Sequence, residues 1–400
     1  MGRKTRSVKN VIIYLEGIKE INQEQILKVK KYFSIITLTM MFILLFATTT
    51  IFAKVEIGGE LNMTLSGVLF RESEALAYPQ GSLDLELYTP PFDNNQIKSA
   101  VYLYTNSTTG QLDFIFKKLY LKHKFDKLQL TVGRQPISWS FGSMLNPVDF
   151  TLGSVVMDEE AGSKYQNAIE AYYPINWNSS IAAIAAFPDG LDFENVKWGI
   201  RGRTTLEGYD LTLNYVREPE ENSTETMIPV SQRIGFSAKG DLGPFGVYGA
   251  IGYNFEDINS GDFSFLAGGD YSYYFESGSK IYFQLEYLSI KEERLSSLLG
   301  SLALLDNGMD LESNTNLLLT RTSYNINEFS TISLFTISSL NDFSTIIMPN
   351  YSNQISNSLT FNCNFAYFSG KENTLFGPGL IGGIQEKPKI TIEAGFIYSF

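Results

Sequence analysis

Two groups of charged side chains are the residues of this chain whose types and spacing could do chemistry. The acidic group falls in a stretch rich in small residues: Asp149, Asp158, Glu159 and Glu160. The basic group follows it: Lys197, Arg201 and Arg203. Neither group has an obvious nucleophile beside it. Both would therefore act through their electrostatic field, by attracting, repelling or orienting charged and polar solutes.

Catalytic and metal chemistry has few candidate residues. His123 is the only histidine and Cys363 the only cysteine, so an internal disulfide and a cysteine metal cluster are excluded. A hydrolase that depends on histidine would have to use His123, which stands between Lys122 and Lys124 and is predicted to be a surface residue. The sequence therefore predicts no catalytic residue, no metal site and no cofactor.

The composition is typical of a protein with one apolar and one wet surface. Charged residues make up 18% of the 400 residues, whereas aromatic residues are abundant, with 23 Tyr and 29 Phe. Residues 1–53 carry a net charge of +5, so the formal −12 of the whole chain leaves −17 for residues 54–400. Such an acidic surface opposes nucleic-acid binding, because the phosphate backbone requires a basic face.

Apolar and polar residues alternate with period two from residue 54 onward, and this pattern predicts the elements that position the charges. The alternation is clear in residues 209–216, 281–289 and 359–367. It predicts an all-β fold, a transmembrane antiparallel β-barrel of sixteen to eighteen strands. The candidate strands begin near residues 54, 82, 97, 111, 127, 163, 178, 195, 208, 231, 245, 262, 279, 313, 328, 343, 354 and 389.

The connections between these segments alternate between short and long, as periplasmic turns and outer loops do in such a barrel. Short connections are predicted near 124–126, 174–177, 205–208, 240–244, 276–278, 325–327 and 351–353. Long ones are predicted near 135–162, 188–194, 218–230, 256–261, 291–312 and 369–388. Residues 340–342 break the alternation, because a tight turn stands where an outer loop is expected.

The basic residues share one parity on the strand that begins near residue 195. Trp198 and Ile200 occupy the other parity, so the basic side chains are predicted to point into the lumen. Two roles remain open for them: a basic wall that faces the acidic group, or pairing with lumen carboxylates such as Asp210. Other carboxylates at predicted lumen positions are Asp84, Glu86, Asp113 and Glu286.

The amino-terminal segment reads as an export signal. Three lysines at 28, 30 and 31 precede an uncharged stretch, and the apolar part at 33–47 resembles the h-region of a signal peptide with cleavage after Ala53. The alternative is an uncleaved membrane helix. Residues 1–27 are either a cytoplasmic extension or precede a start near Val29. The predicted organisation is thus residues 1–53 as extension plus signal peptide and residues 54–400 as barrel.

The last ten residues carry the most specific pattern. Apolar residues at alternate positions lie on one face of residues 391–400, ending with Phe396, Tyr398 and Phe400. A terminal strand of this kind resembles the assembly signal of bacterial outer-membrane barrels, which the barrel-assembly machinery reads in that family. Physically, the strand must also close the sheet, so that no edge is left unpaired in lipid.

The wider chain resembles the porin-like outer-membrane barrels in its signal segment, alternating strands and long loops. A denser run, Gly133-Arg134-Gln135-Pro136-Ile137-Ser138-Trp139 continuing to Asn146-Pro147-Val148-Asp149, resembles a run found in several such families. The resemblance implies a bacterial outer membrane, contact with its lipid, passage of small hydrophilic solutes and a homotrimer. It also implies that loop 135–162 folds into the pore, where its carboxylates would favour cations; the alternative is a solvated outer loop.

Three functions other than a porin are less consistent with the sequence. A barrel hydrolase would need a catalytic His near the outer rim, but His123 lies near a predicted periplasmic turn. A structural or adhesive barrel would have a closed lumen, whereas eighteen strands enclose a space too wide for wall side chains to fill. A soluble β protein disagrees with the aromatic last strand. The sequence therefore predicts a cation-preferring porin.

Overall fold

The computed structural model describes most of the chain after residue 54. The described residues are 55–105, 111–137, 164–187, 196–217, 232–255, 258–259, 261–291, 314–372, 374–381 and 385–400. The predicted extension and signal peptide, residues 1–53, lie outside these ranges, as does the predicted acidic group at 149–160.

The described residues form twenty β-strands, which we number in chain order. They are β1 (Glu56–Leu69), β2 (Leu76–Tyr88), β3 (Asn95–Thr105), β4 (Leu112–Lys124), β5 (Gln129–Ile137), β6 (Lys164–Pro174), β7 (Ser179–Phe187), β8 (Lys197–Leu206), β9 (Tyr209–Arg217), β10 (Gln232–Leu242), β11 (Phe245–Phe255), β12 (Asp262–Tyr274), β13 (Lys280–Lys291), β14 (Asn314–Asn325), β15 (Ser330–Ser339), β16 (Thr345–Ser356), β17 (Leu359–Ser369), β18 (Leu380–Ile381), β19 (Gln385–Glu386) and β20 (Ile390–Ser399).

Eighteen of these strands form one closed antiparallel barrel. Consecutive strands from β1 to β17 pair with each other, and β20 pairs with both β17 and β1. The closing register runs from Glu60 opposite Ser399 to Leu69 opposite Ile390. The short strands β18 and β19 pair only with each other, inside the connection between β17 and β20. The predicted fold class is therefore confirmed, at the upper end of the predicted strand count.

The barrel wall has an apolar outer face and a mostly polar inner face. On β1, Leu61, Met63 and Leu65 are exposed on the outside, while Asn62 and Thr64 lie between them on the inside. Because directly opposite residues of an antiparallel pair share a face, this parity carries from strand to strand around the barrel. The exposed apolar side chains thus form the surface that lipid covers.

Short connections close one rim of the barrel. They span residues 89–94, 125–128, 175–178, 207–208, 243–244, 275–279, 326–329 and 357–358. In the turn at 207–208, Glu207 and Gly208 both have positive φ, 51° and 86°, which matches the type I′ turn that suits strand twist. Gly243 has a φ of 62° before Pro244, in the order that a type II′ turn requires.

The long connections all lie on the other rim, together with three connections of six residues, 70–75, 106–111 and 256–261. The connection at 340–344 is the shortest on this rim, with five residues, where the alternation calls for an outer loop. The predicted break in the alternation is therefore confirmed. We call the rim of long loops the outer rim, because long loops are the outer ones in membrane barrels with this alternation.

Two predicted strand positions were wrong. The second strand begins at Leu76 rather than near 82. Its first residues lack a clear alternation, because Pro79 and Gly81 interrupt the pattern. The strand β16 continues through the predicted turn at 351–353, and the turn lies at 357–358. Polar residues resembled a turn here, yet Asn350 and Asn353 are strand residues. Pro349 lies in a gap of the β16–β17 ladder, as expected for a residue without an amide hydrogen.

Among the described residues, no helix is long and apolar enough to cross a membrane.

The two faces of β15 provide a test of the wall. Leu334 is an exposed outer residue at the middle of the strand, and its neighbour Ser333 lies on the inner face between Ser323 and Asn350. Leu334→Arg should lower the free energy of unfolding by about 2–4 kcal/mol, because it places a charge near the bilayer midplane.

The measurement is equilibrium unfolding by denaturant of the barrel folded into lipid vesicles. Ser333→Arg is the matched control. It should lower the free energy of unfolding by much less, since its charge enters the lumen. An equal loss of stability in the two variants would contradict the assignment of the faces.

Candidate functional site

The lumen is the candidate site, and its basic residues lie on β8. Lys197, Arg201 and Arg203 lie opposite Ala186, Ala182 and Ser180 of β7. Ile200, which is exposed on the outer face, lies between Lys197 and Arg203 at the opposite parity. The geometry therefore puts all three cations on the inner face of one strand.

Arg203 takes part in an ion pair on this face. Its Nη2 lies 3.2 Å from Oδ2 of Asp210, and the Thr205 hydroxyl donates to Oδ1 of the same carboxylate at 2.5 Å. Both charged side chains are well exposed, so the pair contributes at most about 1 kcal/mol to stability. Its main effect is to offset the charge of Asp210 on this part of the wall.

Two further cations extend this basic wall, and they were missed in the sequence. Arg233 and Lys239 lie on β10 at the inner parity, because the outer positions hold Ile234 and Phe236. Lys239 is opposite Asp210 across the β9–β10 ladder. The signal for them was the same alternation that located the residues of β8.

Acidic residues on β2 are matched by two lysines from β4. Asp84 bonds to Lys117, and Oε1 of Glu86 lies 2.6 Å from Nζ of Lys118. A β-bulge makes this possible: Ala100 pairs with Lys118 while Val101 pairs with Phe116, so Lys117 is an extra residue. Two successive lysines thereby reach carboxylates on the same face, which neutralises much of the negative charge there.

Glu286 forms a separate polar network in the wall. Its side chain is fully buried, and its Oε1 accepts the Tyr248 hydroxyl at 2.7 Å and Nε2 of Gln284 at 2.9 Å. Gln284 Nε2 also lies 2.6 Å from the Tyr248 hydroxyl oxygen, which closes the triangle. This predicted lumen carboxylate therefore has a structural role in joining β11 to β13.

His123 lies at the rim of short turns. Its Nδ1 is 2.8 Å from Oδ1 of Asn95, and the centroid of its ring is 4.3 Å from that of the Phe125 ring. These contacts are those of a surface residue at a turn. Among the described residues, no group of three His, Cys, Asp or Glu side chains could hold a metal ion.

A buried apolar cluster lies on the inner face of β11 to β17, towards the outer rim. The wall contributes eleven residues to it: Tyr248, Ala250, Leu266, Leu288, Ile290, Leu317, Leu319, Ile337, Ile346, Ala366 and Phe368. Leu375 and Phe376, from the connection 370–389, complete the cluster, and both are almost fully buried. This connection therefore folds inward against the wall, which explains why part of the inner face is apolar rather than wet.

The short outer turn at 340–344 holds this inward segment in place. The Asp342 Oδ2 accepts the backbone N–H of Leu375 at 2.7 Å, and its Oδ1 accepts the backbone and hydroxyl of Ser344. The Ser344 hydroxyl oxygen accepts the N–H of Phe376 at 3.1 Å. We call these bonds the inner clasp. Burial raises the pKa of Asp342, but the hydrogen bonds from Leu375 and Ser344 lower it by more. The net result is a pKa below the ordinary value of 3.8.

A second set of bonds joins the same connection to the loop after β1. The Glu386 carboxylate accepts the backbone N–H groups of Arg71 and Glu72 at 2.8 Å each, and the N–H of Ser73 at 2.9 Å. The Ser73 hydroxyl also donates to Glu386. We call these bonds the outer clasp. The hydroxyl bond and the backbone bonds lower the pKa of Glu386 below its ordinary value of 4.5, although desolvation opposes them.

Comparisons with solved structures identify the architecture. The chain is similar to opdK, an outer membrane protein from Pseudomonas aeruginosa (8% identity, 86% of this chain, 98% of that chain, TM-score 0.55). It is also similar to a BenF-like porin from Pseudomonas fluorescens (8%, 87%, 99%, TM-score 0.54). A third is Wzi, a carbohydrate-binding β-barrel involved in group 1 capsule assembly in Escherichia coli (13%, 87%, 85%, TM-score 0.55).

The chain has the fold of the porin-like outer-membrane β-barrels. No protein-family model and no curated protein matches it in sequence. The apolar outer face and the closed antiparallel sheet are those of a barrel that lies in a membrane, since such a sheet satisfies its backbone hydrogen bonds within lipid.

The last strand of the porin-like barrel presents its aromatic residues to lipid. Phe396 and Tyr398 are exposed on the outer face and lie opposite Met63 and Leu61 of β1. The backbone of Phe400 exchanges two hydrogen bonds with Gly59, at 3.0 and 3.1 Å. These residues therefore complete the seam between β20 and β1.

The inner clasp can be tested by hydrogen exchange. Asp342→Ala removes a charged acceptor that is worth about 1.5–3 kcal/mol. The amides of Leu375 and Phe376 should then exchange about 10- to 100-fold faster, as measured by mass spectrometry on the detergent-solubilised barrel. Glu276→Ala, an exposed carboxylate on the opposite rim, should leave these amides unchanged. Unchanged exchange in Asp342→Ala would contradict the clasp.

The clasp should also respond to pH. Because the folded-state pKa of Asp342 is lowered, its contribution is fully present above pH of about 3.8 and is lost as the pH falls through that lower pKa. Protection of the Leu375 amide, corrected for intrinsic exchange, should therefore stay constant from neutral pH to this point and fall below it. In Asp342→Asn the protection should show no such step.

Proposed function

We propose that the barrel is a passive channel for small hydrophilic solutes with a preference for cations. The observation that carries this proposal is the polar, half-exposed inner face of the first three strands. Asn62, Thr64, Gln80, Ser82 and Tyr102 are all partly accessible there, although they lie inside a closed barrel. Partly accessible polar side chains of this kind border a wet passage.

The number of strands supports the same proposal. A barrel of eight strands can be filled by its own wall side chains, whereas sixteen to eighteen strands leave room for an aqueous channel. The apolar cluster under Leu375 occupies the side of β11 to β17. A second buried cluster covers part of the inner face of β5 to β9, and its residues are Ile137, Ala168, Ile184, Ala186 and Val216. The proposed passage therefore borders the partly accessible polar wall of β1 to β4.

Cation preference is the finer part of the proposal. On the described wall, Asp84, Glu86 and Asp210 each bond to a lysine or an arginine, so their net field is small. The preference rests on the charge of −17 carried by residues 54–400 and on the predicted acidic group at Asp149, Asp158, Glu159 and Glu160. With the basic wall, such a group would create a transverse field that orients polar solutes.

The proposed channel needs no covalent chemistry. The contacts of His123 with Asn95 and Phe125, at the rim of short turns, leave it remote from the outer-rim position that a barrel hydrolase would use. Passive diffusion requires only a pore of suitable width and field.

The proposed partners follow from the fold. Outer-membrane lipid covers the apolar face, and small hydrophilic solutes pass through the lumen. Recognition of the outward aromatic face of β20 by the barrel-assembly machinery stays a prediction, as does the homotrimer. Chemical cross-linking in native membranes tests the trimer.

A barrel with a closed lumen is the second candidate. The inward position of Leu375 and Phe376 favours it, because both side chains are buried against the inner wall near the outer rim. In that case the protein would have a structural or adhesive role. The two candidates differ in one measurable property, which is the flow of ions.

The deciding experiment is single-channel conductance in planar bilayers, with the reversal potential under a salt gradient. The protein is the full chain, expressed in a bacterial outer membrane and purified in detergent. Steady, cation-selective steps are expected. The triple change Asp158→Asn, Glu159→Gln and Glu160→Gln should lower the cation-to-anion permeability ratio by about twofold or more.

Two matched changes complete the design. Arg201→Gln should raise the same ratio, because it removes a cation from the lumen wall. Glu276→Gln with Glu328→Gln, on the rim of short turns, should leave it nearly unchanged. A folded barrel that conducts nothing would contradict the channel and favour the closed barrel, and anion-selective steps would contradict the cation preference alone.

A further inference from the structure

A recess of about 400 Å³ opens on the inner face of the first three strands. It lies on the polar side of the lumen, away from the apolar cluster. Its lining side chains are carboxamides, hydroxyls and tyrosines: Asn62, Thr64, Gln80, Ser82, Tyr102 and Tyr104. This volume falls in the range of about 300–1,000 Å³ that is typical of sites for small ligands.

Two tyrosines form the apolar part of the recess. Tyr102 and Tyr104 lie two residues apart on β3, and their ring centroids are 5.5 Å apart with an angle of 21° between the planes. Nζ of Lys117 lies 4.4 Å from the Tyr102 centroid, which helps to fix the ring. The negative faces of such rings attract the weakly positive C–H groups of a solute, while their hydroxyls remain available for hydrogen bonds.

The carboxamides are held so that their nitrogens can serve a solute. The Thr64 hydroxyl donates to Oδ1 of Asn62 at 3.0 Å, and the Ser66 hydroxyl donates to Oε1 of Gln80 at 3.3 Å. Within the described part of the chain, neither amide nitrogen donates a hydrogen bond to the protein. Two N–H₂ donors beside several hydroxyls match a solute that carries many oxygen atoms.

Charge is the property that the recess lacks. None of the residues that line it is a carboxylate or a cation at neutral pH. At its border, Asp84 lies opposite Tyr102 and is bonded to Lys117, and Asp113 lies opposite Tyr104. Within the lining itself, ions and zwitterions would lose water without gaining a charged partner, whereas neutral hydroxyl groups would exchange water for equivalent hydrogen bonds.

We propose that this recess is a binding subsite for neutral, polyhydroxylated solutes of the size of a small sugar. C–H groups of the solute pack against Tyr102 and Tyr104, and its hydroxyls bond to Asn62 and Gln80. The inference deepens the proposed channel function, since it names a solute class that the passage holds during transit.

The test measures ion current through the full chain in planar bilayers while sucrose is added as the probe. A subsite predicts a decrease in conductance that saturates with sucrose concentration. Poly(ethylene glycol) of matched hydrodynamic radius, which lacks hydroxyls along its length, should give only an unsaturated decrease. Equal, unsaturated effects of the two probes would overturn the proposal.

Matched variants locate the effect. Tyr102→Leu with Tyr104→Leu should raise the half-saturating sucrose concentration about tenfold, because both stacking surfaces are lost. Tyr120→Leu is the control, since Tyr120 lies on the inner face of β4 outside the recess. Each variant must first show the heat-modifiable migration of a folded barrel. If the double tyrosine variant does not fold, Asn62→Ala with Gln80→Ala replaces it, with the same expected rise.

A second readout separates this inference from the channel itself. Saturation-transfer NMR detects weak contact between sucrose and the detergent-solubilised barrel without any ion flow. If the barrel does not conduct, but sucrose shows saturation transfer that the tyrosine variant loses, the subsite is retained and the channel is rejected. Conduction with no transfer and no saturation would retain the channel and reject the subsite.

Discussion

The structure depends on one constraint, which is that every backbone N–H and C=O inside a bilayer must find a partner within the protein. The sheet meets it by closing on itself, with β20 paired to β17 on one side and to β1 on the other. Closure fixes, for every strand of the ring, which side chains point outward and which point into the lumen. The apolar outer face, the inner carboxylates and the basic wall therefore all depend on the same hydrogen-bond register.

Within that ring the inner face differs from one part of the wall to another. The inner face of β11 to β17 is apolar towards the outer rim and is covered by Leu375 and Phe376, whereas the inner face of β1 to β4 is polar and partly accessible. Charged residues on the polar side form pairs across strands, such as Glu86 with Lys118. Such pairs set the local shape and field of the wall while limiting its net charge.

The sequence predicted the fold well because a membrane barrel has a two-residue period that each strand repeats. The same period placed Lys197, Arg201 and Arg203 on one face, and it would have placed Arg233 and Lys239 if applied to β10. Contacts between distant segments could not be predicted in this way. The bulge that brings Lys117 to Asp84 produces no periodic pattern in the sequence, and neither does the bond from Leu375 to Asp342.

The outer clasp has a consequence for the order of assembly. Glu386 binds backbone groups 313 to 315 residues away in sequence, beside the seam between the first and last strands. Contacts of such long range form late in folding, because the intervening chain must be ordered first. The clasp requires the start of β20 to lie beside the end of β1, where Leu69 is opposite Ile390. It therefore extends the seam between the first and last strands beyond the ladder, and it opposes the parting of these two strands.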